Sequence, residues 1–224
     1  QTFAGHAGAV FDIAINETQI ATVSADTNLR LFPRAKTPEQ LAVKDVPAIT
    51  TIKHPAILRS VAASGTQFIT GSDDSLLRRW EPPLGELERL TGQAGQILSI
   101  AALPDGRLVS GASDNTARLW TPAVAEVAVI GSAQGWKLAS SVDGKRYAVL
   151  GRGPAGTPDR LSVWGVEKSL TKLAGPVDLP TPSDFVAIQA DAGLIALGAG
   201  PELSLWNLAD LKKIAAVTLP APVA

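Results

Sequence analysis

Short runs of apolar and β-branched residues follow one another along the whole chain, each bounded by glycine, proline, asparagine, aspartate or serine. No 3.6-residue period persists long enough for a helix, so the pattern predicts strands joined by tight turns. Residues 96–102 read as one strand, and Pro104-Asp105-Gly106 as a hairpin turn in which glycine supplies the positive φ. Residues 107–111 form the next strand, Ser113-Asp114-Asn115 a second tight turn, 116–120 a third strand and 126–130 a fourth. The same pattern places first strands at 9–15, 57–63, 135–141 and 184–190, and second strands at 19–23, 67–70, 146–150 and 194–197. These runs are nearly all apolar or small, as expected of strands covered on both faces. Pro33, Pro38, Pro82, Pro83 and Pro122 fall after third strands, where an irregular connection tolerates them.

The third strands share a phrase. Leu77-Arg78-Arg79-Trp80, Ala117-Arg118-Leu119-Trp120, Leu161-Ser162-Val163-Trp164 and Leu203-Ser204-Leu205-Trp206 all end in tryptophan, and Leu29-Arg30-Leu31-Phe32 ends in phenylalanine. The steps between them are 48, 40, 44 and 42 residues. Recurrence at this period marks a solenoid or propeller. Four antiparallel strands in about 40 residues make a sheet too small to bury both faces alone, so several must stack, and a radial β-propeller achieves that. The fold class expected is all-β, with five four-stranded blades in one domain spanning 1–224. The repeats fall near 1–38, 39–84, 85–125, 126–168 and 169–210, with an outer strand at 211–219.

Composition narrows the function classes. A 224-residue chain that is 46% hydrophobic can bury one substantial core, and its formal net charge of -1, without basic runs, gives no handle for nucleic acid or an anionic membrane. Cysteine is absent, which excludes disulfides, thiol catalysis and cysteine–metal sites but does not fix a compartment. The longest apolar stretches fall far short of the roughly 20 residues of a membrane helix.

The first three repeats resemble the WD-repeat family. That family places a Gly-His pair before the first strand, Ser or Thr on the second, Asp in the next turn and Trp six residues later. Here the four points are Gly5-His6, Thr22, Asp26 and Phe32; then Lys53-His54, Thr70, Asp74 and Trp80; then Gly92-Gln93, Ser110, Asp114 and Trp120. The resemblance implies a buried relay in which the indole N–H meets the hydroxyl, the hydroxyl meets the imidazole and the imidazole meets the carboxylate. Phe32 leaves the first relay incomplete, and Gln93 can stand in for an imidazole because an amide both donates and accepts. Complete hydrogen-bonded sets are expected in repeats two and three. Repeats four and five have Pro158 and Gly200 where the aspartate belongs, and Leu150 and Leu197 at the hydroxyl positions. The motif therefore covers 5–120, and the last two blades are expected to be held by apolar packing alone.

Candidate chemistry is sparse. His6 and His54 occupy relay positions, and with no third histidine a metal site lacks ligands, so no metal or cofactor is expected. Gly151-Arg152-Gly153-Pro154-Ala155-Gly156 matches a dinucleotide fingerprint but is followed by a strand pattern rather than the helix that fingerprint requires. Asp73-Asp74 is a relay residue with an exposed neighbour. The slot five residues after the relay histidine holds Phe11, Arg59, Leu98, Trp136 and Phe185. The resemblance puts this slot on the top rim that WD-repeat proteins present to partners, and aromatic and arginine residues are the types that anchor interfaces. Packing between blades is the competing role, with Trp136 and Arg59 the better rim candidates and Phe11 the more packing-like; Asp73 is expected near the same rim.

The leading expectation is a non-enzymatic protein-interaction scaffold, partnered by other proteins or by further domains of its own polypeptide. The alternatives are an accessory domain of a larger bacterial catalytic or redox protein and, behind it, an enzyme working in a central channel. Residues 1–4 and 211–217 both look like outer strands, and a five-bladed ring has one vacancy for them. The count favours a segment of a larger propeller, seven blades being the family's commonest number.

Overall fold

In the computed structural model, residues 1–83, 85–121, 126–130, 134–152, 157–166 and 170–220 are described, with the side chains of 126–130, 134–136, 152 and 170 left aside. They form two compact units, Gln1–Ala102 and Leu103–Ala224.

The first unit opens with β1 (Thr2–Phe3), then β2 (Val10–Ile15), β3 (Gln19–Ser24) and β4 (Asn28–Pro33). An excursion carrying the short helix α1 (Pro38–Leu41) and β5 (Asp45–Val46) separates β4 from β6 (Thr50–Lys53). The helix is a single turn, with proline in its first turn and a Thr37–Gln40 capping box, so it falls below anything the hydrophobic period could signal. Sheet one has the order β2-β3-β4-β6. Sheet two runs β7-β8-β9-β10, from Leu58–Ser64, Gln67–Ser72, Leu77–Glu81 and Gly85–Leu90. The unit ends with β11 (Ile97–Ala102).

One face of sheet one and one face of sheet two form a common core. Ala14, Ala21, Val23, Leu29 and Leu31 pack with Leu58, Val61, Phe68 and Trp80. The opposite face of sheet one is treated differently in its two halves. Ile20 and Phe32 are buried under Phe3, Val46 and Ala48, and Phe3 meets Phe32 edge-on at 5.2 Å between centroids. Ile13 and Ile15 lie bare, each 53% exposed. The expectation that first strands are covered on both faces therefore fails for β2.

Residues 1–4 do not form a blade's outer strand. Thr2–Phe3 pairs in parallel with Asp45–Val46, so the N-terminal strand is seated on the first repeat's own excursion. The C-terminal candidate does take an outer position, as the second unit shows.

That unit begins with β12 (Leu108–Ala112), β13 (Ala117–Trp120) and β14 (Glu126–Ile130), paired antiparallel in that order. Sheet four is β15-β16-β17-β18, from Gln134–Ser140, Arg146–Arg152, Arg160–Val166 and Leu170–Asp178. Sheet five is β19-β20-β21-β22, from Phe185–Gln189, Leu194–Ala199, Glu202–Asn207 and Lys213–Thr218. Ala148, Leu150, Leu161 and Val163 share a core with Val186, Ile188, Ile195, Leu197 and Trp206. The third repeat thus has its four strands distributed between the two units, one in the first and three in the second.

Candidate functional site

The turn aspartate does the same job in all three motif-bearing repeats. Asp26, Asp74 and Asp114 accept the N–H two residues on, from Asn28 at 3.0 Å, Leu76 at 3.2 Å and Thr116 at 3.0 Å. The residue between is left-handed each time: Thr27 at φ 67°, Ser75 at φ 66° and Asn115 at φ 66°. This local ring of side chain and backbone is the mechanism by which aspartate builds a turn. It does not need the histidine.

The histidine contacts differ between repeats. In the first, His6 Nε2 lies 2.7 Å from Thr22 Oγ1, and Nδ1 lies 3.0 Å from Asp26 Oδ2. Burial works against the Asp26 charge. The N–H groups of Ala7 and Asn28 and the His6 ring outweigh it and hold the carboxyl well below the usual carboxylate range. Phe32 contributes nothing polar and joins the apolar cluster with Phe3 instead.

In the second repeat the expected set does not form. Trp80 Nε1 donates to Thr70 Oγ1 at 2.9 Å, but the carboxylate of Asp74 is taken by Arg78, whose Nη2 and Nη1 donate at 2.7 and 3.1 Å. His54 is 3% exposed, lies 4.8 Å from the Trp80 ring, and has no hydrogen bond at either ring nitrogen among the described residues. Burial, helped by the Arg78 charge, pushes its pKa down to about 4. A fork of two N–H donors four residues away has displaced a single imidazole nitrogen, as the bidentate geometry of arginine favours.

The third repeat keeps Trp120 Nε1 donating to Ser110 Oγ at 2.8 Å, with Thr116 Oγ1 on Asp114 Oδ1 at 2.7 Å and the Arg118 guanidinium 3.7 Å from Asp114. Gln93 is buried in the first unit.

Repeats four and five are not purely apolar. The Trp164 indole donates to Ser162 Oγ at 3.0 Å and the Trp206 indole to Ser204 Oγ at 2.9 Å. The acceptor has moved from the neighbouring strand to the tryptophan's own strand, two residues back. The register also corrects one position. Ser162 faces Val149, not Leu150, so Val149 stands at the lost hydroxyl of repeat four, while Leu197 faces Ser204 as expected.

At three of the five positions of the slot, those holding Phe11, Arg59 and Trp136, the ladder has a β-bulge. Pairing of β2 with β3 jumps from Val10 to Asp12, that of β7 with β8 from Leu58 to Ser60, and that of β15 with β16 from Gly135 to Lys137. Phe11, Arg59 and Trp136 are the residues skipped. A bulge re-aims one side chain out of the ladder. Phe185 departs from the set: it pairs with Gly198 in unbroken register. Leu98 is half-buried and Phe185 exposed, and the side chain of Trp136 lies outside the described residues.

In the first unit the slot residues meet. Arg59 Nε and Nη2 donate to the two Asp73 oxygens at 2.8 and 2.9 Å, and the Arg59 guanidinium stands 5.0 Å from the centroid of the Phe11 ring. The Arg59 side chain remains 31% exposed.

Beside the bulge runs a hydrogen-bonded clasp that the sequence pattern did not disclose. Asp12 Oδ2 accepts from Val61 N at 3.0 Å and from Ser60 Oγ at 2.8 Å, and Ser60 Oγ in turn accepts from Ile100 N at 3.0 Å. In the first unit, Asp12 and Ser60, each following a bulge, thus hold the first strand of the next repeat. A short polar residue after the slot aromatic or arginine was the only available signal.

Nothing in the described residues gathers three metal-ligating side chains, and no helix is long and apolar enough to cross a membrane. A cavity of about 470 Å³ in the second unit is lined by Arg146, Val163, Leu173 and Asn207, among others, and brings no acid–base pair together. Of the glycine-rich stretch 151–156, residues 153–156 lie outside the described residues, and the next element is the strand Arg160–Val166.

Four-stranded antiparallel sheets of this kind, four of the five third strands carrying a tryptophan, are the blades of a β-propeller fold. Residues 85–121 match the family model for the WD domain, G-beta repeat, in agreement with the four-point spacing read from the sequence. No curated protein matches the chain. Among solved structures it is similar to the computationally designed Ika8 protein, with 16% identity and a TM-score of 0.74 over 98% of this chain. It is also similar to a chain of the mitotic checkpoint complex, with 21% identity and a TM-score of 0.73 over 91% of this chain. It spans 64% and 63% of the length of those two chains.

Proposed function

We propose that this chain is a non-enzymatic interaction platform whose recognition residues are the bulged positions Phe11, Arg59 and Trp136, with Leu98, Phe185 and Asp73 as further candidates. The observation that carries the reading is Arg59. Both edges of its fork used here are fixed by Asp73, one face is set beside Phe11, and the group still reaches solvent. An arginine already held in one rotamer loses little entropy on binding, and such residues are over-represented among interface anchors. WD-type propellers serve as scaffolds for other proteins, and the partner is therefore a protein or a further domain of the same polypeptide.

The test compares the chain with its Phe11→Ala and Arg59→Ala variants as baits in affinity capture. Proteins recovered with the parent are expected to be depleted at least tenfold with Arg59→Ala, while the denaturation midpoint barely moves. Equal recovery with all three baits overturns the rim assignment.

A further inference from the structure

The residue after the aromatic of the repeated phrase is Pro33, Glu81, Thr121, Gly165 and Asn207 in turn, so repeat four alone has no side chain there. Leu173 takes the space. Pairing of β17 with β18 passes from Ala174 to Lys172, and the skipped Leu173 is re-aimed over Gly165, where a Cβ would sit 3.2 Å from its Cδ1. Leu173 is 53% exposed, an apolar side chain that forms a wall rather than core. With Val163 and Leu208 it gives the apolar side of the cavity of about 470 Å³ between sheets four and five, which the Ala192-Gly193 turn also lines.

The corresponding end of sheets one and two is bridged instead. Asn16, whose N–H meets Gln19 O as that of Ser141 meets Arg146 O, reaches Thr66 O in the next repeat's turn at 3.4 Å through its amide. Ser141 Oγ bonds within its own turn, to Asp143 and to the Arg146 N–H, and bridges to nothing in sheet five among the described residues. Two donors therefore stay open in the cavity wall. The Arg146 guanidinium is exposed and makes no hydrogen bond or ion pair among the described residues. Asn207 Oδ1 accepts from Ala209 N at 2.8 Å, which leaves the Nδ2 hydrogens without a partner among the described residues. No carboxylate is among the described lining side chains. Asp143, on the Arg146 turn, is held by Ser141 Oγ and Lys145 N, and Asp210, beside Ala209, by Lys212.

We infer that this cavity binds a small monocarboxylate with a branched aliphatic or aromatic body. Arg146 supplies a planar fork that matches both carboxylate oxygens, and Asn207 supplies a second, neutral donor. Val163, Leu173 and Leu208 offer the apolar body its surface, the usual division of labour in a small-molecule site. A lone cation suits a single negative charge, whereas the nearly doubled charge of a phosphate monoester would stay half-compensated. The site lies at the other end of sheet four from the bulge at position 136, because Gln134 pairs with Arg152 while Ser140 pairs with Tyr147, next to Arg146. It is therefore independent of the recognition residues proposed above.

Titration of the isotope-labelled chain with hydrocinnamate tests this, read from the amide resonances of Gly193, Leu208 and Ala209. Saturable shifts at these residues are expected, with a Kd on the order of 1 mM or below for a ligand of this size. Hydrocinnamide, with the same body and no charge, is expected to bind roughly tenfold more weakly or worse, and phenyl phosphate no more tightly than hydrocinnamate. Arg146→Gln, at an exposed position, is expected to weaken hydrocinnamate binding by roughly tenfold or more. Asn207→Asp keeps the acceptor for Ala209 N and puts a negative charge where the amide stood, so a similar loss is expected. Both variants are expected to keep the parent's circular dichroism, and Arg59→Ala is expected to bind as the parent does. The absence of saturable shifts, shifts centred elsewhere, or equal affinity for acid and amide overturns the inference. So does a preference for phenyl phosphate, or binding that Arg146→Gln or Asn207→Asp leaves unchanged.

Discussion

Arg78 grips both oxygens of Asp74, at 2.7 and 3.1 Å, and in doing so occupies the partner that the corresponding aspartate of the first repeat gives to His6. The cost falls on His54, buried with neither nitrogen hydrogen-bonded among the described residues. The same motif residues at the same spacing therefore give two different networks, and the consequences can be measured.

The first consequence is acid sensitivity. His54 has a folded pKa of about 4, below the unfolded value of about 6.5. Between these values the unfolded chain binds more protons, so stability falls as pH drops from about 6.5 towards 4, by up to ~3 kcal/mol. Above 6.5 the His54 contribution is complete. Urea midpoints between pH 7 and 4.5 are expected to fall for the parent and to flatten in His54→Gln. Parallel curves for the two proteins would show that His54 is not the group responsible.

A different outcome follows from the rewired indoles. Ser204→Ala removes the acceptor of a buried tryptophan N–H and is expected to destabilise by about 1–2 kcal/mol. Ser162→Ala does the same to Trp164, which is only half-buried, and water can replace the lost partner, so the effect is expected to stay below about 0.5 kcal/mol. The ordering of the two midpoints is the check.

The left-handed turn residues permit a stabilising change. Ser75 carries a side chain at φ 66°, a conformation that costs a non-glycine residue roughly 1 kcal/mol. Ser75→Gly is expected to raise the thermal midpoint, with a gain of up to about 1 kcal/mol set against the added freedom of the unfolded chain. A lowered midpoint would mean that the side chain contributes more than the backbone suffers.

Gly71 tests the packing between neighbouring first-unit strands. A methyl group there would run into Ile97 and Ile100, which are already in contact range. Gly71→Ala is expected to cost about 1–3 kcal/mol, and combining it with Ile97→Ala, which removes the Cγ2 that the new methyl would meet, should cost less than the sum of the two single losses. Additive losses in the double variant would argue against this contact.

The strands were legible in the sequence because short apolar runs and the turn residues that bound them are local properties, and so was the aspartate turn, whose hydrogen bond spans only two residues. The fate of His54 was not legible. It depends on whether an arginine two positions before Trp80 or an imidazole twenty positions before Asp74 reaches the carboxylate first, a competition settled by side-chain geometry. Ser162 and Ser204 were in plain view inside the repeated phrase, yet the missing aspartates of repeats four and five drew attention to loss rather than replacement. The seat of Thr2–Phe3 on Asp45–Val46 was beyond reach for a third reason: two-residue strands carry no periodicity.

The clasp from Asp12 through Ser60 to Ile100 gives the first unit a reading direction. Asp12 holds its successor through a carboxylate oxygen shared between a backbone N–H and a hydroxyl, whereas Ser60 holds its own successor through that one hydroxyl. Repeats one and two are consequently not interchangeable modules. Exchanging them would leave Ser60 without its upstream acceptor, Asp12. Their order is written into the inner strands, one residue past each bulge, in an alphabet of side chains that the shared motif does not contain.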